Sequence, residues 1–360
     1  MDRYQRQMLL PEIGVAGQKR LTAARVLVIG AGGLGSSALY YLAAAGIGIL
    51  AIVDDDRVER SNLHRQILYA DADIGRNKAE AAAERLAAFN PDIRIEPKIV
   101  RFDAGNAMEL LARCDLVIDA TDRLATKFLI NDAAAKAARP LVHASALGFE
   151  ARVALFDASR GPCLRCLFPA PPEIPPATCA EAGVLGAVLG MAGSMQALEA
   201  IRWILAAGDD RSLREILGRL WLFDGRSLAT RIVALPRDPA CEVCRHRPED
   251  ICLEDIERSV SDIAAEELER LADALFVDVR EREEWDAGHL SGALHLPLSR
   301  LAQADRIELP PSRAYVVYCA HGLRSQTAAR ILLAAGYRNV RSLSGGLAAL
   351  HGERSPPLSM

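Results

Sequence analysis

Short apolar runs and helix-forming stretches alternate along the first part of the chain. Arg25–Ile29 is a β-branched run of strand length. A glycine cluster follows, then a stretch of good helix formers at 36–45, then a second apolar run at 47–53 that ends at Asp54. An apolar run without alternation fits a strand buried on both faces, and strand, helix, strand at this spacing reads as a βαβ unit. The rhythm continues with an alanine-rich helix at 79–89, closed by Asn90-Pro91, and an alternating strand at 93–99. Leu116–Asp119 reads as a buried strand ending in a carboxylate, followed by a helix at 124–138 and a strand at 141–146. The predicted fold is α/β, a Rossmann-like, doubly wound parallel sheet with helices on both faces. Prolines between 169 and 176 break the rhythm and read as a surface loop.

Composition becomes charged and polar around 245–258, and the alternation then restarts. A helix at 264–272, strands at 275–279 and 315–318 and a helix at 325–335 predict a second, smaller α/β unit. The expected organisation is a domain over 1–247, a linker over 248–258 and a domain over 259–356. At 360 residues, each part is long enough to bury a core. The most apolar stretch, 183–208, contains Gln196, Glu199 and Arg202, which favours a buried helix over a membrane span. Net charge is −4, so no basic footprint argues for nucleic acid or an anionic membrane. The first residues carry no secretion-type apolar region, and the expected location is the cytoplasm. The eight cysteines are then expected to be reduced, metal-bound or catalytic.

The first strand runs into Gly30-Ala31-Gly32-Gly33-Leu34-Gly35, and Gly30, Gly32 and Gly35 match a dinucleotide fingerprint. Asp54 lies at the distance expected of a ribose-binding carboxylate. The default reading is an NAD enzyme, and the residues that follow argue against it. Asn62, Arg65, Gln66 and Lys78 put polar and cationic groups just past the second strand, and Asp119 and Asp122 end a later one. Hydride transfer needs no such collection. Attack on an ATP phosphate does, with cations neutralising the phosphates and a carboxylate holding magnesium. The chain has no G-x-x-x-x-G-K-[ST], so the site is not a P-loop.

Together, Arg3-Tyr4-x-Arg6-Gln7, G-x-G-G-L-G, Asp54, Ser61-Asn62-Leu63-x-Arg65-Gln66, Lys78 and Asp119-x-Thr121-Asp122 resemble the ubiquitin-activating superfamily. The likeness is to its bacterial members of the MoeB/ThiF type, which adenylate small sulfur-carrier proteins, and it runs from about residue 3 to 247. The resemblance implies that Gly33 approaches the nucleotide, Asp54 takes the ribose, Arg65 and Lys78 hold phosphates, and Asp122 binds Mg2+. It also implies that Arg6 reaches the ATP of a partner subunit, hence a homodimer. Arg123 and Ala120 depart from the family's usual Asn and Cys, and Arg123 carries no assigned role.

Cys163-x-x-Cys166 and Cys241-x-x-Cys244 are spaced to close one tetrahedral zinc (Zn2+) site. Cys179 follows the prolines, where two readings stay open: structural packing, or a nucleophile that takes the carrier's C-terminus. Cys114 and Cys252 read as structural.

Cys319 follows a strand and precedes a helix. Cys319-Ala-His-Gly-Leu-Arg324-Ser325 would wrap backbone N–H groups and a helix N-terminus around its sulfur, a setting that favours a thiolate or persulfide anion. His321 and Arg324 add possible donors. Together with Asp278-Val-Arg280-x-x-x-Glu284-Trp285-x-x-Gly288-His289-Leu-x-Gly292-Ala293, this loop resembles a single-domain rhodanese over about 258–352. A Cys-based phosphatase would need one more residue between Cys and Arg.

The expected function joins both ends of the chain. ATP adenylates the C-terminal Gly-Gly carboxylate of a ubiquitin-like sulfur carrier. A Cys319 persulfide, charged by a persulfide or thiosulfate donor, then converts it to a thiocarboxylate. Alternatives are an activating enzyme that forms a thioester through Cys179, and an adenylyltransferase whose rhodanese part serves a separate sulfurtransferase role.

Overall fold

In the computed structural model, residues 2–171, 183–206, 208–254, 261–271, 274–303, 307–310, 313–350 and 358–359 are described. The chain divides into two compact units, with the change at 256/257.

The larger unit is built on an eight-stranded sheet. Its strands are β1 (Arg25–Ile29), β2 (Ile49–Val53), β3 (Arg94–Lys98), β4 (Leu116–Asp119), β5 (Leu141–Leu147), β6 (Glu150–Phe156), β7 (Arg219–Asp224) and β8 (Ala229–Ala234). The order is β3-β2-β1-β4-β5-β6-β7-β8; the first five are parallel and the last three antiparallel. Side chains alternate between two cores. Val26, Val28, Leu50, Ile52, Leu116 and Ile118 face helices α1 (Gly33–Ala45), α2 (Lys78–Phe89) and α4 (Gly186–Ala206). Leu27, Ile29, Val53 and Val117 face α3 (Leu124–Lys136). Burial on both faces explains why β1 and β2 are unbroken apolar runs. The apolar stretch read as a buried helix is α4, which lies along α1. Gly193 permits that approach, since a Cβ there would overlap the Leu34 carbonyl and the Ser37 hydroxyl.

The smaller unit is a five-stranded, all-parallel sheet in the order β12-β10-β13-β14-β9. These are β9 (Ser261–Ile263), β10 (Leu275–Asp278), β12 (Leu294–His295), β13 (Tyr315–Tyr318) and β14 (Val340–Leu343); the short β11 (His289–Leu290) stands outside this sheet. Val317 and Val277 pack on one face with Ala328 and Ile331 of α5 (Leu323–Ala334), and Val316 and Tyr318 pack on the other with Leu347. The helix expected at 264–272 is a 3-10 helix over Ala265–Arg270. The proline loop falls largely outside the described residues. No helix among the described residues is long and apolar enough to cross a membrane.

Candidate functional site

The carboxyl ends of β1, β2 and β4 meet at the glycine turn. Gly30 has φ +94°, and a Cβ there would sit 2.7 Å from the Ala120 carbonyl oxygen, so only glycine lets the β1 turn lie against the β4 turn. A Cβ on Gly35 would collide with the Gly30 carbonyl, which fixes the start of α1 directly on the end of β1. The N-terminus of α1 therefore opens where the strands end, with its N–H groups and dipole available to an anion.

Asp54 ties this turn to the next one. Its carboxylate accepts the Ala31 N–H at 2.7 Å and the Asp56 N–H at 2.9 Å. Burial, partly offset by the Lys78 charge, pushes its pKa up to about 6. The Lys78 ammonium, almost fully buried, contacts Asp56 at 2.8 Å. Asn77 caps α2 by accepting the Ala79 and Glu80 N–H groups, and its side-chain amide donates to the Asp56 carbonyl. Tyr69, which sequence reasoning missed, donates its hydroxyl to the Ala31 and Lys78 carbonyls, at 2.8 and 3.2 Å.

The segment bearing Asn62, Arg65 and Gln66 lies over the glycines. The Arg65 guanidinium is braced by the Asn62 side-chain oxygen at 2.6 Å and the Ser61 carbonyl at 3.1 Å. The Arg65 backbone borders Gly33 and also Gly186, at the start of α4. Gln66 is buried beside Gly32, and its Oε1 has no hydrogen-bond partner among the described residues. A buried orphan acceptor at the mouth of a glycine turn fits a site built for a ligand that donates hydrogen bonds. Asp122 is exposed just past β4.

Beneath that mouth lies a buried charge cluster absent from the sequence-based expectation. Asp119, fully buried, meets Lys127 at 3.2 Å and the His143 Nδ1 at 2.7 Å, and accepts the Thr121 N–H and hydroxyl. Burial disfavours its charge, but Lys127 and His143 outweigh this and hold its pKa below the usual carboxylate range. Lys127 also donates to the Ala144 carbonyl at 2.7 Å, so β4, α3 and β5 are locked together under the Thr121–Asp122 turn.

Arg6 is not part of this gathering. Tyr4 packs its ring on Gly46, the αL cap that ends α1, and its hydroxyl accepts from Asn90 at 2.8 Å. Gln7 donates to the Ala45 carbonyl. Arg6, between these anchors, is exposed. The 13 residues of α1 separate that end from the glycine turn, a span of about 20 Å at ~1.5 Å per residue.

The four cysteines of the two C-x-x-C pairs converge. Their sulfurs all lie within 4.8 Å of one another, and Cys163 to Cys241 and Cys166 to Cys244 are each 3.6 Å apart. Four sulfurs at about 2.3 Å from a central ion would stand about 3.8 Å apart at tetrahedral corners, so the donor set could hold one zinc. The hydrogen bond from Cys244 pulls the Cys163 thiol down to about 6, and the same contact pushes Cys244 up, so the four sulfurs compete for negative charge. Arg165 grips Asp132 and the Leu164 N–H meets Asn131, which fasten the first pair to α3. Lys136 donates to the Ile251 carbonyl at 2.6 Å, and Ile251 is buried beside the second pair. Cys179 lies outside the described residues.

In the smaller unit, Cys319 directly follows β13 and is buried. The Gly322 N–H donates to its Sγ at 3.1 Å, and Gly322, with φ +89°, caps α5. Ser325 stands 3.7 Å from the sulfur and accepts from Ser342 at 2.9 Å, both fully buried. The other side of the loop is held by Gly346, with φ +60°, where a Cβ would overlap the Cys319 carbonyl. The Leu347 and Ala348 N–H groups take the Cys319 and Ala320 carbonyls. With those carbonyls turned away, the Gly322 N–H is the backbone donor on the sulfur among the described residues, the kind of contact an anion cradle uses. Arg324 makes a two-pronged ion pair with Glu284, at 2.6 and 2.7 Å. Ser342, Gly346 and the role of Glu284 were not legible from spacing. The Gly345-Gly346 pair after a strand was the one available signal.

Comparison with known proteins divides the chain at the same place. Residues 4–243 match the ThiF family and residues 263–353 match the rhodanese-like domain. The chain is similar to the probable adenylyltransferase/sulfurtransferase MoeZ of Mycobacterium tuberculosis, with 38% identity covering 99% of this chain and 94% of the relative. It is also similar to the adenylyltransferase and sulfurtransferase MOCS3 of Anopheles gambiae, with 40% identity over 96% and 86% of the two chains. The sulfur carrier protein adenylyltransferase of Thermus thermophilus is 45% identical over 69% of this chain and 92% of its own. Among solved structures, E. coli MccB with ATP shares the fold at a TM-score of 0.58 and 22% identity, covering 68% of this chain and 75% of that one.

The buried cluster gives a direct test of the site's foundation. Lys127→Met removes the buried cation paired with Asp119 and is expected to cost about 3–5 kcal/mol of stability. Urea unfolding measures this; a loss below about 1 kcal/mol, the scale of an exposed pair, would show that the cluster does not anchor β4.

Proposed function

The chain belongs to the ThiF family and carries a rhodanese-like domain, and from that premise we propose that it adenylates a ubiquitin-like sulfur carrier and then sulfurates it. The observation that carries this reading is a single chain holding both an anion-binding glycine turn flanked by buried polar groups and a cysteine cradled by backbone N–H. It is an adenylyltransferase and a sulfurtransferase, the pairing named in its full-length relatives. That pairing favours this reading over a thioester-forming activating enzyme.

A carboxylate is a poor electrophile. In the first step the carrier's C-terminal Gly-Gly carboxylate attacks the α-phosphorus of ATP, the bond to the β-phosphate oxygen breaks, and pyrophosphate leaves. The α1 N-terminus with Gly30, Gly32, Gly33 and Gly35 receives the phosphates, as its open N–H groups allow. Asp54 takes the ribose hydroxyls, with its position set by Ala31 and Asp56. Asn62 orients Arg65, and Arg65 and Lys78 balance the charge that moves onto pyrophosphate. Gln66 supplies its orphan oxygen to the nucleotide. Asp122 would hold a magnesium ion, whose charge would further neutralise the phosphates.

In the second step the terminal sulfur of a Cys319 persulfide attacks the acyl carbon and AMP leaves. Cys179 is the candidate relay if transfer is not direct. A thiol reductant then cleaves the acyl-disulfide, freeing the carrier thiocarboxylate and the Cys319 thiol. The Gly322 N–H stabilises the sulfur anion, and Arg324 orients the donor or acceptor. We assign the carrier to molybdenum-cofactor synthesis or a related sulfur-incorporation route, as the name MOCS3 suggests of that relative.

Arg6 lies about 20 Å of helix away from its own glycine turn, exposed between two anchors. It serves the ATP of a second copy, and the working form is a homodimer. Cys163, Cys166, Cys241 and Cys244 hold one structural zinc that staples the chain after residue 240 to α3. Thiol and persulfide chemistry fits a reducing, cytoplasmic compartment.

Pyrophosphate exchange into ATP should appear only when a carrier ending in Gly-Gly is added, and Arg65→Ala should lower it by about a hundredfold, the scale of one transition-state charge contact. Exchange that ignores the carrier would contradict the first step. Nucleotide affinity should follow Asp54, whose pKa of about 6 lies above the ordinary carboxylate value. Ribose hydroxyls donate to the ionised form, so binding is full above that pH and falls as pH drops through it; calorimetric titration of Asp54→Asn should be weak and flat over the same range. Metal analysis of freshly purified protein should find one zinc per chain, and protein without zinc would contradict the staple.

A further inference from the structure

Two arginines of the smaller unit, Arg280 and Arg324, are committed to carboxylates. Arg280 lies between Asp278, which it meets at 2.7 Å, and the Gly288 carbonyl. Arg324, the second residue of α5, follows the Cys319–Gly322 loop in the chain. Both of its Nη atoms are engaged by the two oxygens of Glu284, at 2.6 and 2.7 Å. Glu284 is itself fixed: its Oε2 accepts the Glu281 N–H at 3.2 Å at the start of the Arg282–Asp286 helix. The carboxylate is thus held in place against Arg324 by its own helix.

Fork-to-fork pairing uses the two donors with which an arginine grips a planar or tetrahedral oxyanion. A donor that presents oxyanion charge must displace Glu284 or approach a cation already neutralised. We propose that Glu284 is a specificity-determining residue of the sulfur-accepting step, selecting a persulfide donor over thiosulfate. This rests on the sulfurtransferase reading above.

The chemistry balances for either donor. The Cys319 thiolate attacks the outer sulfur of the donor, a new S–S bond forms, and the donor's own S–S bond breaks. With an R–S–SH donor its electron pair leaves on the R–S thiolate; with thiosulfate it leaves on sulfite. The outer sulfur is already at the sulfane level, so no oxidant or reductant enters. The donors differ in what leaves. Sulfite carries two negative charges past the mouth and gains from a free arginine. A single thiolate gains less and escapes more easily past the Glu284 carboxylate.

Glu284→Gln keeps the shape and the oxygen that caps Glu281, and removes the charge. Sulfur transfer to cyanide, read as thiocyanate, compares thiosulfate with cysteine persulfide for wild type and Glu284→Gln. The variant should lower the KM for thiosulfate about tenfold, with a steeper salt dependence, as expected for a freed charge contact. Its kcat/KM for cysteine persulfide should stay within about twofold, and Glu284→Gln/Arg324→Gln should lose the thiosulfate gain. An equal fall for both donors, or a thiosulfate KM unchanged in Glu284→Gln, overturns the assignment and leaves Glu284 a structural brace. Wild type that takes sulfur from neither donor contradicts the sulfurtransferase reading, and the assignment falls with it.

Discussion

A methyl group at Gly35 would collide with the Gly30 carbonyl, and one at Gly346 would collide with the Cys319 carbonyl. Both sites rest on that constraint. Each places a strand end, a turn and a helix start so close together that only bare backbone fits, and the close approach points N–H groups at an incoming anion. At the glycine turn the proposed anion is the phosphate of ATP. At Cys319 it is the sulfur itself, met by the Gly322 N–H at 3.1 Å. The surrounding side chains refine these two cradles. Asp54 and Lys78 set the edge of the first, and Ser325, Ser342 and the Arg324–Glu284 pair set the edge of the second.

The central parallel strands were legible because burial on both faces writes them as unbroken apolar runs. Arg25–Ile29 and Leu116–Asp119 have the bounds their patterns predicted. Strands β6, β7 and β8 were not read. They pair antiparallel and depend on partners far along the chain: β7 joins β6 across α4, and β8 is an exposed edge. The apolar stretch of α4 was legible as a buried helix because Gln196, Glu199 and Arg202 interrupt it; Gln196 is buried and donates to the Asp119 and Val142 carbonyls of the sheet.

Motif spacing found the candidate site residues and missed those that hold them in place. Lys127 and His143 bracket Asp119 from two different elements, so no local pattern links them. Tyr69 closes the glycine turn from 38 residues away. Glu284 and Arg324 each belonged to a recognisable motif, yet they are 40 residues apart and their pairing appears only in three dimensions. The four clustered cysteines are the opposite case. Their short spacings form two local pairs, and the sheet brings the pairs together.

Joining the two chemistries in one chain has a physical rationale, since an acyl-adenylate and a persulfide are both short-lived and a tether raises the concentration of one near the other. The most direct test of that coupling is intact-mass spectrometry of a Gly-Gly-ended carrier after incubation with magnesium-ATP, a persulfide donor and a thiol reductant, with wild type and Cys319→Ala side by side. The account predicts that the carrier gains the mass of one oxygen replaced by sulfur with wild type alone, while both proteins release pyrophosphate. A carrier that gains sulfur equally with Cys319→Ala, or gains none with wild type although adenylation proceeds, would contradict it.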